Sequence, residues 1–257
     1  MSALLLLSAC SSVPLTGRKQ VLLVSDQEVL SASLTQYTDY MKTATKSTSK
    51  NGSAMVARVG KNIADATEKY LKNNGLESEI KNFSWEFSLV ADQQVNAFCM
   101  PGGKIVVYEG LMKVIDSEDE LAVVIGHEVA HAVAKHSNER MSQQLMMQYG
   151  AQILGQALNN KSAAVQQIGT SVFGLGAQYG VMLPFSRKHE YEADYMGLIF
   201  MAMSGYNPEV AVAFWQKMSA GNTGSTPEFM STHPSDAARI NEIKRRLPEI
   251  QKYQVKK

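Results

Sequence analysis

Cysteine occurs only twice in this chain, at Cys10 and Cys99, so no framework of disulfides can hold the fold together. Cys99 reads as a small buried hydrophobe, not a nucleophile. No run of 18 or more apolar residues occurs, and nothing is expected to cross a bilayer as a helix. Charge of either sign is scarce in excess: 25 Lys and Arg face 24 Asp and Glu, for a net charge of +1 and a pI near 7.7. That balance gives no electrostatic footprint for nucleic acid. The basic tail, Lys244-Arg245-Arg246 and Lys256-Lys257, is most simply a solvated end. No repeat of 20 to 50 residues stands out, which excludes solenoids and propellers. The 257 residues are ample to bury a core.

What the chain does have is Gly126-His127-Glu128-Val129-Ala130-His131. Two imidazoles four residues apart on a helix lie about 40° apart around its axis, so both can face one metal ion. Glu128 stands about 100° round from His127, placed as a base acting on metal-activated water and not as a ligand. Ser117 with Glu120 reads as a capping box, and the apolar run Leu121 to Ile125 predicts a helix buried on nearly every side. Two histidines and a carboxylate inside such a helix need partners, and a metal supplies them. A chance pattern on a solvated helix face is the bland alternative.

A catalytic zinc takes three protein ligands and keeps one position open. His136 is about 180° from His127 on a continuous helix and is expected at the surface. A third histidine ten residues after the first is absent, because position 137 is Ser, and this excludes the metzincin pattern. Downstream, Arg187-Lys188-His189-Glu190-Tyr191-Glu192-Ala193-Asp194 opens a second helix through Met203. Glu190 and Asp194 share a face; Glu192 and His189 point elsewhere. One of the two carboxylates can bind metal and the other can hold a ligand histidine. A solvated acidic face is the alternative for both.

His127-Glu128-x-x-His131 followed by Glu190-x-x-x-Asp194 resembles the gluzincin metallopeptidases, specifically the HtpX-like family that includes the prenyl-protein endopeptidases. The likeness runs from about Val13 to Arg246. It implies His127, His131 and Glu190 as ligands of one Zn2+ per chain, Glu128 as the catalytic base, and Asp194 as the partner that fixes a ligand imidazole's tautomer. Ser231-Thr232-His233-Pro234-Ser235 and Arg239 resemble the family's late motif. By that resemblance His233 donates to the oxyanion and Arg239 orients the late segment; a capped loop with a structural histidine is the alternative. Asn96-Ala97-Phe98 is similar to the substrate-binding edge strand of thermolysin-like enzymes. There an extended peptide adds by main-chain hydrogen bonds, with Asn96 and Ala97 in that role here. An ordinary hairpin explains the same residues.

The N-terminus carries a separate signal. Leu4 to Leu7 is apolar, and Leu7-Ser8-Ala9-Cys10 has the form of a bacterial lipobox, whose cysteine is lipidated after cleavage. Nine residues precede Cys10 and none is Lys or Arg, which is short of the usual charged start. An incidental cysteine in a leucine-rich terminus is the alternative. The organisation expected is therefore a signal remnant at 1–9, a tether at 10–20 and a single zinc peptidase domain at 21–257. Ser11 is compatible with outer-membrane sorting, which places the domain at the periplasmic face of the cell envelope. A multiply acylated cysteine would be the sole anchor.

Ser25 with Glu28 caps a helix to about Thr45, and 46–53 reads as a polar linker. Met55, Val56, Val59, Ile63, Ala66 and Tyr70 recur at helical spacing up to Asn73-Asn74-Gly75. Phe83, Trp85, Phe87 and Leu89 alternate as a strand; Val95 to Met100 and Lys104 to Tyr108 make a hairpin about Pro101-Gly102-Gly103. The stretch from Arg140 to Pro184 is rich in Met, Gln, Ala and Gly. It reads as core helices that close through small residues, and as a segment able to cover a cleft. Asn207-Pro208-Glu209 opens a further helix. The fold expected is mainly α with a small antiparallel β-sheet, α+β and zincin-like.

The activity expected is metal-assisted hydrolysis of peptides or unfolded envelope proteins, with Glu128 activating water. The rival is a zinc-containing chaperone or assembly factor that holds clients without cutting them. An intact Glu128 speaks against that rival. A zinc hydrolase of non-peptide substrates is a third reading, which the edge strand disfavours.

Overall fold

The computed structural model describes residues 10–158, 183–220, 229, 233 and 237–255. Strand β1 (Cys10–Ser12) pairs antiparallel with β2 (Lys19–Val21), Cys10 opposite Val21. The segment expected as a tether, residues 10–20, thus carries a small hairpin of its own. Val13 is buried in the main core, its amide donates to the Arg18 carbonyl at 2.8 Å, and Gly17 at φ +67° closes the turn. One apolar anchor and one left-handed glycine suffice to tie the segment down.

Helix α1 (Asp26–Thr43) starts with the expected capping box, Ser25 and Glu28 each satisfying the other's backbone. Helix α2 (Lys50–Asn73) starts earlier than the expected linker allows, because Ser49 caps the amide of Gly52. Val56, Val59 and Ile63 of α2 are fully buried, as their spacing predicts, and Gly75 at φ +73° follows its end. A short helix α3 (Glu77–Ile80) leads into the sheet.

The sheet is three-stranded, β3 (Glu86–Val90), β5 (Lys104–Tyr108) and β4 (Ala97–Met100) in that spatial order. The hairpin β4–β5 is antiparallel as expected, whereas β3 runs parallel to β5. The sheet is thus mixed: alternation revealed the strands but carried no information on which neighbour β3 would take. Central β5 is buried on both faces, Ile105 and Val107 in the main core and Val106 and Tyr108 against Tyr37 of α1. Among the described residues β4 is an edge strand beside the helix that carries the motif.

After α4 (Glu109–Met112) comes that helix, α5 (Glu118–Val133), buried from Leu121 through Ala130. Ser117 caps Glu120 as expected, but the Glu120 carboxylate returns to the amide of Asp116 at 2.8 Å, one residue short of a full capping box. Lys135 at φ +56° breaks the path before α6 (His136–Leu158) begins. Helix α7 (Leu183–Met203) crosses α5 where Gly197 meets Gly126, so close that a Cβ on either would lie within 2.8 Å of the other's backbone. Helices α8 (Val210–Ala220) and α9 (Ala237–Ile250) complete the core, the Glu209 amide donating to the Asn207 side chain at 3.0 Å just before α8. Among the described residues no helix is long and apolar enough to cross a membrane. The glycines expected to make a cover, at 169, 174, 176 and 180, lie outside the described residues, as do residues 1–9, 231, 232, 234 and 235.

Candidate active site

The crossing of α5 and α7 brings His127 and His131 against Glu190. The two Nε2 atoms are 3.0 Å apart, and the Glu190 carboxylate lies 3.2 Å from His127 Nε2 and 3.4 Å from His131 Nε2. His233 joins them, its Nδ1 3.1 Å from His127 Nε2 and 3.0 Å from Glu190 Oε2. One donor atom from each of His127, His131, Glu190 and His233 falls within 4.8 Å of all the others. Imidazole nitrogens converging on a carboxylate suit a borderline-soft divalent cation. Beside them Glu128 Oε1 is buried and, among the described residues, has no hydrogen-bond partner. The donor set fits one Zn2+ per chain.

Burial opposes charge on His127, but hydrogen bonds to Asp194 and Glu190 outweigh it and raise its pKa to about 9. Burial holds His131 well below the usual histidine range in spite of Glu190. Glu190 lies well below the carboxylate range: burial pushes it up, and hydrogen bonds from His127 and His131 overcome that. A proton on His127 and a metal on its Nε2 are alternatives, since both need the same lone pair.

Away from the cluster, His127 Nδ1 meets Asp194 Oδ1 at 2.9 Å, and Arg239 grips Asp194 with two bonds of 2.7 and 2.8 Å. Arg239 is 1 % exposed, lies over the Trp215 ring at 3.9 Å and donates to the His233 carbonyl at 3.1 Å. It therefore ties α7, α8 and the His233 segment together.

The other ligand helix residue has a partner that angle arithmetic missed. His136 is buried, not at the surface, with Nδ1 2.9 Å from His131 Nδ1 and Nε2 3.0 Å from Glu192 Oε2. A surface position holds only on one continuous helix, and the turn at Lys135 swings His136 back towards α5. Lys135 occupies the left-handed position where glycine is the usual mark, so no local residue type signals the break. His189 stands outside the four-donor cluster; its Nε2 meets Glu139 at 3.0 Å and its ring stacks on His136.

Burial first, then Glu190, raises the Glu128 pKa above the usual carboxylate value, against His233, His127 and a backbone hydrogen bond from Cys99. Burial lifts the Cys99 thiol well above its ordinary range, consistent with a packing role. Along β4 the Asn96 carbonyl turns inward and accepts from the Tyr108 amide at 3.1 Å. Main-chain groups along an edge strand alternate, so the Asn96 carbonyl faces β5 and not the outer edge. The outward positions are Val95, Ala97 and Cys99. Val95 already accepts from the Phe229 amide at 3.0 Å and the Cys99 amide serves Glu128; between them Ala97, its side chain buried in the main core, has no edge-side main-chain partner among the described residues.

The family profile described as Peptidase family M48 matches residues 58–247, which include every side chain of the four-donor cluster. This chain belongs to Peptidase family M48. Within that family it is similar to mitochondrial metalloendopeptidase OMA1 of Schizosaccharomyces pombe, 36 % identical over 68 % of this chain and 50 % of that protein. OMA1 of Arabidopsis thaliana is 38 % identical over 69 % of this chain and 34 % of its own length. The beta-barrel assembly-enhancing protease of Yersinia pestis is 31 % identical over 65 % and 35 % respectively. This M48 chain thus spans half or less of the length of these relatives. The HtpX-like resemblance read from the motifs holds at the level of the M48 family.

Proposed function

We propose that the chain is a zinc-dependent endopeptidase, on one observation above all. A buried carboxylate oxygen that takes part in no hydrogen bond among the described residues, Glu128 Oε1, 3.5 Å from His233 Nε2, stands beside a four-donor cluster. A purely structural metal site does not require an acid left open beside it. His127, His131 and Glu190 hold the ion. Zinc, when bound, supplies Lewis acidity that polarises a peptide carbonyl and favours hydroxide over water near neutral pH. Glu128, its pKa lifted by burial, takes the proton of the attacking water and delivers it to the leaving amine. Ala97 pairs with the substrate backbone, and Asp194 with Arg239 orients His127.

His233 donates to the oxyanion that forms as water adds to the carbonyl. Its Nδ1 now lies among the ligand atoms, one donor more than a catalytic zinc uses, so His233 reaches that role by leaving the cluster.

The substrate class is unfolded or misassembled protein of the cell envelope. The similarity to the Yersinia relative, a beta-barrel assembly-enhancing protease, supports an envelope setting. The lipobox at Leu7 to Cys10 supports a lipid anchor at the periplasmic face of the outer membrane, and exposed Cys10 begins β1. Purified chain should hydrolyse casein, and both a chelator and Glu128→Gln should abolish cleavage. Client binding without cleavage would instead favour the non-cleaving assembly factor. Mass analysis of the N-terminal peptide from envelope-extracted protein tests acylation of Cys10.

A further inference from the structure

Each ligand imidazole must be held by something behind it, and for His131 that support leads out of the M48 region altogether. If His131 Nε2 faces the metal, its one proton is on Nδ1 and is donated to His136 Nδ1, 2.9 Å away, its acceptor among the described residues. His136 then carries its own proton on Nε2, where Glu192 Oε2 accepts it at 3.0 Å. Glu192 is fixed in turn by Arg18 Nε at 2.7 Å and by the Thr16 hydroxyl at 2.6 Å. The same Arg18 forks onto Glu139 at 2.9 and 2.6 Å, and Glu139 holds His189, which stacks under His136 at 4.3 Å. His127 has the shorter version of this series, imidazole to Asp194 to Arg239.

We propose that Arg18, Glu192 and His136 are positioning residues of the metal site, so that the N-terminal hairpin completes the support of the zinc ligand His131. Three observations carry it. Both nitrogens of His136 are engaged, one by a ligand and one by a carboxylate. Arg18, His136, Glu139 and Glu192 are almost wholly withdrawn from water, with side-chain exposures of 11 %, 2 %, 3 % and 6 %, a costly arrangement for groups that only decorate a surface. Arg18 and Thr16 come from a hairpin upstream of residues 58–247, held by its own buried Val13. Outer partners of this kind set ligand orientation and basicity, and their loss typically weakens metal binding about 10- to 100-fold.

This rests on the zinc-site reading above, and the test separates the two. The zinc dissociation constant of the full chain is measured by competition with a chromophoric chelator for wild type, Arg18→Ala, His136→Phe, His136→Gln and the Arg18→Ala/His136→Phe double variant. The denaturation midpoint of each metal-free protein is recorded alongside. His136→Phe and Arg18→Ala should each weaken zinc about 10- to 100-fold. His136→Gln, whose carbonyl can accept the His131 N–H, should recover most of the loss, and the double variant should bind no worse than His136→Phe alone. Should Arg18→Ala not fold, Arg18→Lys keeps the charge, loses the fork and is read the same way. Variants with lowered midpoints but wild-type zinc affinity, or a Gln variant no better than Phe, would overturn the proposal. Wild type that binds no zinc would sink the peptidase reading itself.

Discussion

Gly126 and Gly197 meet backbone to backbone: a Cβ on Gly197 would lie 2.7 Å from both the Gly126 carbonyl carbon and the His127 amide nitrogen. Neither helix can be drawn back without separating His127 from Asp194 and Glu190. Gly197→Ala should therefore cost about 1–3 kcal/mol, the usual range for overpacking, and weaken zinc binding as well. Chemical denaturation with metal analysis checks both; a variant of wild-type stability would mean that the crossing relaxes easily.

Removing Glu190 takes away an anionic ligand and leaves imidazoles alone around the ion. Glu190→Ala should lower zinc affinity by more than the about 10- to 100-fold that loss of an outer partner costs, and should abolish casein cleavage. Full zinc occupancy in that variant at stoichiometric metal would show the third ligand to be misassigned.

For His233 the turnover number discriminates. As an oxyanion donor its loss in His233→Ala should lower kcat about 10²- to 10³-fold with zinc content intact. A rise in kcat would show that the imidazole only closes the site.

Zinc uptake should release protons. His127 has a pKa of about 9, raised by Asp194 and Glu190 against its burial, so at pH 7 the metal-free protein carries a proton that zinc must displace. Because the free-state pKa is raised, affinity should fall as pH drops below 9. Release of about one proton per zinc is expected at pH 7. Calorimetry in buffers of different ionisation heat measures it; no dependence on buffer would place the proton elsewhere.

Acid should act through the N-terminal support. Burial pushes Glu139 up, but hydrogen bonds from His189 and Arg18 prevail and hold its pKa at about 2, below the ordinary 4.5. A depressed native pKa contributes stability that is whole above about 4.5 and is lost as pH falls towards 2. Denaturant midpoints between pH 2 and 7 should therefore fall more steeply for wild type than for Glu139→Gln. Parallel curves would mean that Arg18 does not stabilise the charged carboxylate.

The sequence made plain whatever depends on neighbours a turn apart. Ser25 and Glu28, the buried face of α2, the His127–His131 pair and the shared face of Glu190 and Asp194 all follow from helical spacing. It failed where the chain bends without a marker or meets a distant segment. His136 was misplaced because Lys135, not a glycine, takes the left-handed position. Arg18 reaches Glu192 across 174 residues, a contact no local pattern announces. The parallel pairing of β3 and the inward carbonyl of Asn96 are decisions of sheet register, which alternation leaves open.

If a chain pairs along β4, as proposed, the border there leaves it, among the described residues, little more than the one peptide unit at Ala97, hemmed by Phe229 on one side and by the tie between Cys99 and Glu128 on the other. So narrow a grip reads almost nothing of side-chain identity. On the proposed reading a polypeptide would qualify by being able to lie straight across the cleft, which folded proteins refuse and damaged ones permit, so that selection would fall on conformation before composition.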